Sequence, residues 1–162
     1  MSDKTKYIYL AGIIDGEGSL IISRSDRGSY MNYYGRIQVK NTDYRLIKWL
    51  LDHFGGSVHV HKPSDPIKHS MGYSWYYGGD QHSKETLLLA LLPYLIVKKE
   101  SAINLIEFFR LVGQTNPKKR EELYQRSLYL NHRGPTVETN TQIAEQDSAK
   151  IESDLTGDSK SV

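Results

Sequence analysis

Between Ile8 and Ile14 the apolar residues Ile8, Leu10, Ala11, Ile13 and Ile14 fall almost all round a helical wheel, a pattern that predicts a helix covered on more than one side. Gly12 sits in its middle, where glycine costs about 1 kcal/mol of helix propensity against alanine. Its presence implies a compensating gain, most simply the close approach of a second helix backbone. The run ends in Asp15-Gly16-Glu17-Gly18, two glycines bracketing a carboxylate. That spelling predicts a tight exit, with Gly16 or Gly18 at positive φ and a strand beginning directly afterwards.

Residues Ser19 to Ser25 and Tyr33 to Lys40 then read as strands joined by the loop 26–32. In the second, Ile37 and Val39 alternate with Arg36, Gln38 and Lys40, so one face is oily and the other carries donors. Asn41-Thr42-Asp43 marks a helix start ahead of Leu46, Ile47, Leu50, Leu51 and Phe54 at helical spacing, and Gly55-Gly56 marks its end. A second strand pair follows, Ser57 to Lys62 and His69 to Tyr77, with Met71, Tyr73, Trp75 and Tyr77 on an oily face and a turn-rich loop over 63–68. Asp80 or Ser83 caps a helix through Leu87 to Leu92, Pro93 interrupts it, and Lys98 to Val112 forms another with Ala102, Ile103, Leu105, Ile106 and Phe109 inward. Asn116-Pro117 opens a last helix to about Leu130, and Gly134-Pro135 closes the body. The order is α-β-β-α-β-β-α with further helices: an α+β fold whose antiparallel sheet lays one face on helices and leaves a polar face open.

With 162 residues, the chain is long enough for one domain, expected over 1–137 with a tail over 138–162. The tail holds six acids against two lysines, net −4, so the body carries +6 of an overall +2. A basic body with an acidic, Ser- and Thr-rich tail is compatible with a nucleic-acid binder, and the tail's low apolar content predicts weak packing of any short helix near 143–151. Cysteine is absent, which excludes disulfides and thiolate metal sites. The longest apolar run, Leu87 to Val97, is broken by Pro93 and shorter than the ~20 residues that span a bilayer. No signal-peptide pattern opens the chain. The expectation is a soluble intracellular protein without a membrane partner, whether in the cytoplasm and nucleoid or in an organelle.

Asp15 and Glu17 at a helix C-terminus oppose the macrodipole by a few tenths of a kcal/mol to about 1 kcal/mol, a cost that a bound cation removes. For any single Asp-Gly or Glu-Gly pair taken alone, a solvated turn is the expected reading. An EF-hand is excluded, because the places that need glycine and a bidentate glutamate hold Leu20 and Asp26. The whole string Leu10-Ala11-Gly12-Ile13-Ile14-Asp15-Gly16-Glu17-Gly18-Ser19 is more specific. It resembles the signature of the LAGLIDADG homing endonucleases, with Ile13, Gly16 and Glu17 as common variants, and the order of elements over roughly 6–133 resembles that family's core.

The resemblance implies site-specific, metal-dependent cleavage of double-stranded DNA by an intron-encoded protein. Mg²⁺ is the expected ion, with Mn²⁺ substituting and Ca²⁺ supporting binding without cleavage. It puts the metal on Glu17 with the Gly16 carbonyl beside it, Asp15 serving the turn or acting as a further ligand. Lys98, with Lys99 adjacent, matches the family's lysine near the scissile phosphate; Asn41 matches a residue that orients a water, and Arg45 does so more weakly. Asn41 reads equally as a helix cap. Pairing of the signature helices is expected through Leu10, Ala11, Gly12 and Ile14. The chain holds one copy of the signature, so the pairing is with itself: a homodimer on a near-palindromic site.

DNA contact is expected from the open strand face and its loops, namely Ser23, Arg24, Arg27, Tyr34, Arg36, Gln38, Lys40, His59, His61, Lys62, Lys68 and Ser70. His59 and His61 lack a third ligand at zinc spacing. Lys118, Lys119 and Arg120 meet phosphates or form an exposed helix start. The alternatives are an RNA-splicing maturase or a non-cleaving DNA-binding regulator on the same fold, and an interaction module with a basic face.

Overall fold

The computed structural model describes residues 2–26, 31–62, 70–111, 113 and 116–131. The tips of the two expected loops, with Arg27 and Lys68, the Gly134-Pro135 pair and the tail over 138–162 lie outside the described residues. In chain order come α1 (Asp3–Glu17), β1 (Gly18–Asp26), β2 (Met31–Asn41), α2 (Tyr44–Phe54), β3 (Ser57–His61), β4 (Gly72–Tyr76), α3 (Gln81–Leu91), α4 (Lys99–Arg110) and α5 (Pro117–Asn131). The α+β order is the one expected. Asp80, not Ser83, caps α3, its carboxylate accepting the Ser83 amide at 2.8 Å.

The sheet is antiparallel in the order β1-β2-β4-β3. Its register decides which side chains meet, because successive residues of a strand point to opposite faces. Leu20↔Ile37, Ile22↔Gly35, Val39↔Trp75 and Val58↔Trp75 lie on the face that packs on helices. Ile21↔Arg36, Ser23↔Tyr34, Lys40↔Ser74 and His59↔Ser74 lie on the other. Trp75 is fully buried, as its phase predicts, and its indole N–H donates to the Gly55 carbonyl at 2.7 Å.

Helix α4 lies across β1 and β2, with Leu105 and Phe109 buried against Gly35 of β2. Gly35 is what lets it come so close: a Cβ there would sit 2.5 Å from Phe109 Cε1 and 2.7 Å from Leu105 Cδ1. Gly35→Ala is therefore expected to destabilise the chain by about 1–3 kcal/mol through overpacking. Urea unfolding checks this, and an unchanged midpoint would mean that α4 has room to retreat. At the sheet edge, α5 covers β1. Ser127 Oγ accepts the Ile22 amide at 2.9 Å and Asn131 Nδ2 donates to the Leu20 carbonyl at 3.2 Å, so the edge strand is not left open to another chain.

Helix α1 departs from expectation in two ways. It runs on through Glu17, and Gly18 is its C-cap at φ −80° and ψ 161°, so neither Gly16 nor Gly18 takes a positive φ. Glycine is needed at 18 for space, since a Cβ would lie 2.6 Å from Ile14 Cα and 2.8 Å from the Ile14 carbonyl oxygen. The second departure concerns the expected pairing face. Leu10, Ala11 and Ile14 are all 0% exposed in the chain's own core, because that side of the all-round apolar helix is the one laid against β1, β2 and α3. Of the four residues expected to pair, Gly12 alone is exposed, with nothing within 4 Å of an added Cβ. The free line on α1 is Ile8, Gly12 and Gly16.

Candidate nucleic-acid interface and acid site

The open sheet face brings together Ser23, Tyr34, Arg36, Gln38 and Lys40 with His59 and His61, as their phase predicts. Arg36 donates to Ser23 Oγ at 2.8 Å and its guanidinium lies 5.4 Å from the centre of the Tyr34 ring. Gln38, between Ser19 and Tyr76 in register, is buried in the row, while Lys40 is exposed. His59 meets Tyr76 edge-on at 5.1 Å, and His61 Nε2 is 2.8 Å from Ser74 Oγ. Lys62 and Ser70 are exposed just beyond the ends of β3 and β4.

Arg24 does not belong to this face. It is in phase with Leu20 and Ile22, so it points to the helix side, where its Nη1 holds both Glu121 carboxylate oxygens at 3.1 Å and its guanidinium lies 4.9 Å from the centre of the Tyr124 ring. Tyr33 donates its hydroxyl to the same carboxylate. Gln125, Tyr33 and Arg24 together hold the Glu121 carboxyl below its ordinary pKa, and the bond to Glu121 pushes the Tyr33 phenol up. Arg24→Ala is expected to lower the unfolding midpoint and leave DNA affinity unchanged. If the open face takes DNA, Arg36→Ala should weaken binding by about tenfold and reduce the salt slope by about 1. Fluorescence anisotropy over a salt series separates the two.

Glu17 ends α1 at the margin of the open face. It shares a cavity of about 370 Å³ with Lys40, Asn41, Thr42, His61, Gly72, Tyr73 and Ser74. Ser74, opposite both Lys40 and His59, is not among the site residues expected from the sequence, although its phase against Tyr73 and Trp75 places it on the polar face; nothing in the sequence marks Thr42 or Gly72 as walls. Among the described residues, Glu17 is exposed and makes no hydrogen bond or ion pair. The Gly16 carbonyl is in the last turn, where helical carbonyls have no partner within the helix. Asn41 lines the cavity and also turns the chain, its Oδ1 accepting the Asp43 amide at 2.8 Å.

Arg45 is not brought to this cavity. It folds onto Asp43, with Nη2 at 2.5 Å from Oδ2, and its side chain is 91% exposed. The Arg45 guanidinium and then its amide hold the Asp43 carboxyl at about 2, so the ion pair belongs to the start of α2.

Asp15 is occupied. Its Oδ2 accepts the Ile96 amide at 2.8 Å and its Oδ1 the Lys98 amide at 2.9 Å, while the Lys98 ammonium lies 3.4 Å from the Asp15 carbonyl oxygen. Lys98 is half-buried beside the end of α1, and Lys99 is exposed on α4. Glu17 is thus the carboxylate left free. Among the described residues no three His, Asp or Glu side chains gather as a metal site, so one chain offers an ion one free carboxylate and a carbonyl oxygen. An all-oxygen set of this kind fits Mg²⁺, which keeps several waters and completes its shell with substrate phosphates.

No family model and no curated protein matches the chain. Solved structures do. The chain matches the homing endonuclease I-CvuI in complex with its target in the presence of 2 mM Ca with a TM-score of 0.64 at 21% identity, over 88% of this chain and 92% of that one. It matches an archaeal intron-encoded homing endonuclease, I-Vdi141I, complexed with DNA, with a TM-score of 0.68 at 17% identity, over 84% and 90%. For I-SmaMI bound to an uncleaved DNA target in the presence of calcium ions, the TM-score is 0.51 at 19% identity, over 85% of this chain but 48% of that one. At these identities the likeness is one of architecture: the chain has the fold of the LAGLIDADG homing endonucleases.

Proposed function

We propose that this protein is a homodimeric, divalent-metal-dependent endonuclease that cleaves a long, near-palindromic double-stranded DNA site, encoded within an intron or similar element. The single observation that carries the reading is Glu17: an unpartnered carboxylate at the junction of the free face of α1 and the polar end of the sheet, in one cavity with Lys40 and His61. An exposed carboxylate with no protein partner keeps both oxygens available to hold an ion beside a phosphate.

Three observations favour pairing of two chains through α1. Ile8, Gly12 and Gly16 form an open line along it. At the end of that line Ile96 and Val97 are 85% and 75% exposed, held there by Asp15. The chain also spans nearly all of I-CvuI but about half of I-SmaMI, so the same unit of fold occurs both as a whole chain and as half of a longer one.

Bound Mg²⁺ would polarise a water and neutralise charge on the phosphate. Glu17 and the Gly16 carbonyl would hold it. Lys98 steadies the charge that develops on the phosphate, Asn41 orients water at the cavity wall, and the sheet face fixes the register of the duplex. No membrane role is invoked, and no helix among the described residues is long and apolar enough to cross one.

I-CvuI complexed with the I-CreI target holds uncleaved DNA in 2 mM Mg, so the decisive assay varies metal and sequence together. Incubating the protein with a randomised plasmid library should give double-strand cuts with Mg²⁺ or Mn²⁺, binding without cuts with Ca²⁺, and no cuts with a chelator. Binding without cuts in every metal would favour a non-cleaving regulator or a maturase. Neither binding nor cutting would leave an interaction module.

A further inference from the structure

We infer that Asp15 is a positioning residue, a clamp that fastens the segment 96–98 to the end of α1 and so sets the place of Lys98; the inference rests on the nuclease reading above. Asp15 and Lys98 are 83 positions apart in the chain. Both Asp15 oxygens are used on backbone amides of one short segment, Ile96 at 2.8 Å and Lys98 at 2.9 Å, and the Asp15 carbonyl meets the Lys98 ammonium at 3.4 Å. Besides these bonds, the segment 96–98 is anchored by the buried Leu95 before it and by the Lys98 carbonyl, which accepts the Ala102 amide at 2.9 Å. It runs as turn and irregular backbone between α3 and α4, the side chains of Ile96 and Val97 are in solvent, and Lys98, at the head of α4, makes no side-chain capping bond.

A carboxylate accepting two amides binds a short backbone segment in one orientation, as charge-assisted bonds are shorter and stronger than neutral ones. The result is that the Lys98 side chain leaves the backbone from a point tied to the last turn of α1, two residues before Glu17. The two groups are therefore carried by one rigid unit although they come from distant parts of the chain. Division of labour between the two acids follows: Glu17 faces the cavity, and Asp15 holds the lysine that works beside it.

The geometry makes Asn the informative substitution. Asp15→Asn keeps the shape and one acceptor, but puts an NH₂ against a backbone N–H, so one of the two bonds is lost. The segment then loosens, and a misplacement of about 1 Å at a catalytic group costs roughly 100-fold in rate.

The test is a double-mutant cycle on the full chain, with cleavage rate in Mg²⁺ and DNA affinity in Ca²⁺ measured separately for Asp15→Asn, Lys98→Ala and the pair. Asp15→Asn should lower the rate by roughly 10- to 100-fold with affinity retained, and the pair should be no slower than Lys98→Ala. Amide hydrogen exchange on the unmodified protein gives a readout independent of any variant's folding: Ile96 and Lys98 should exchange more slowly than Val97 between them. Additive losses, an undiminished rate in Asp15→Asn, or equal exchange at 96, 97 and 98 overturn the proposal while leaving the nuclease reading standing. An unmodified protein that cuts nothing in the library overturns both.

Discussion

Glu17→Gln is expected to abolish cleavage by more than about a hundredfold while DNA affinity in Ca²⁺-free buffer stays within a few-fold. The separation follows from where the side chain lies. Glu17 is exposed, touches no other described side chain by hydrogen bond or ion pair, and ends α1 rather than bracing it, so the amide leaves the fold as it was. Glu17 makes no hydrogen bond or ion pair to Arg36, Lys40, His59 or His61 on the open sheet face, so the change leaves that row in place. If Glu17 holds the metal, loss of its charge removes stabilisation from the transition state and little from binding. Retained nicking in this variant would shift the metal-holding role to another residue.

The second large effect is expected at Gly12. In the isolated chain Gly12 is exposed and an added Cβ there meets nothing within 4 Å, and leucine improves helix propensity by about 1 kcal/mol, so Gly12→Leu should fold with its circular dichroism intact. If two copies of α1 cross at this point, the same side chain holds the backbones apart. The variant should then sediment as a monomer and cut no better than Glu17→Gln. A dimeric, active Gly12→Leu protein would mean that the chains pair elsewhere or not at all. The contrast with Gly35 is useful: there the glycine serves a contact inside the chain, and substitution should act on stability first.

How far the residues alone lead differs from element to element. The alternation in β2 and the stops at Gly55-Gly56 and Pro93 are local, and the observed elements follow them closely. Arg24 was readable too, because period two from Leu20 and Ile22 sends it to the helix side; charge is the weaker guide where it conflicts with phase. The faces of α1 were not readable. A helix that is apolar nearly all round does not say which side its own sheet takes, and only the packing shows that Leu10, Ala11 and Ile14 belong to the core and Ile8, Gly12 and Gly16 to the open line. The reason for Gly18 is likewise spatial, the nearness of Ile14, whereas its spelling pointed to a turn. Asp15 is the clearest case. Its partners lie more than 80 positions away on a segment with no pattern of its own, so its neighbours in sequence carry no sign of the bond.

The most direct measurement of the central claim is a crystal structure of the protein on its cleavable duplex with Mn²⁺, the metal located by its anomalous scattering. The account predicts two chains on one duplex, related through α1 at Gly12, with metal bound between the Glu17 carboxylates of both and the scissile phosphates. One chain per duplex, or metal bound away from Glu17, would contradict it.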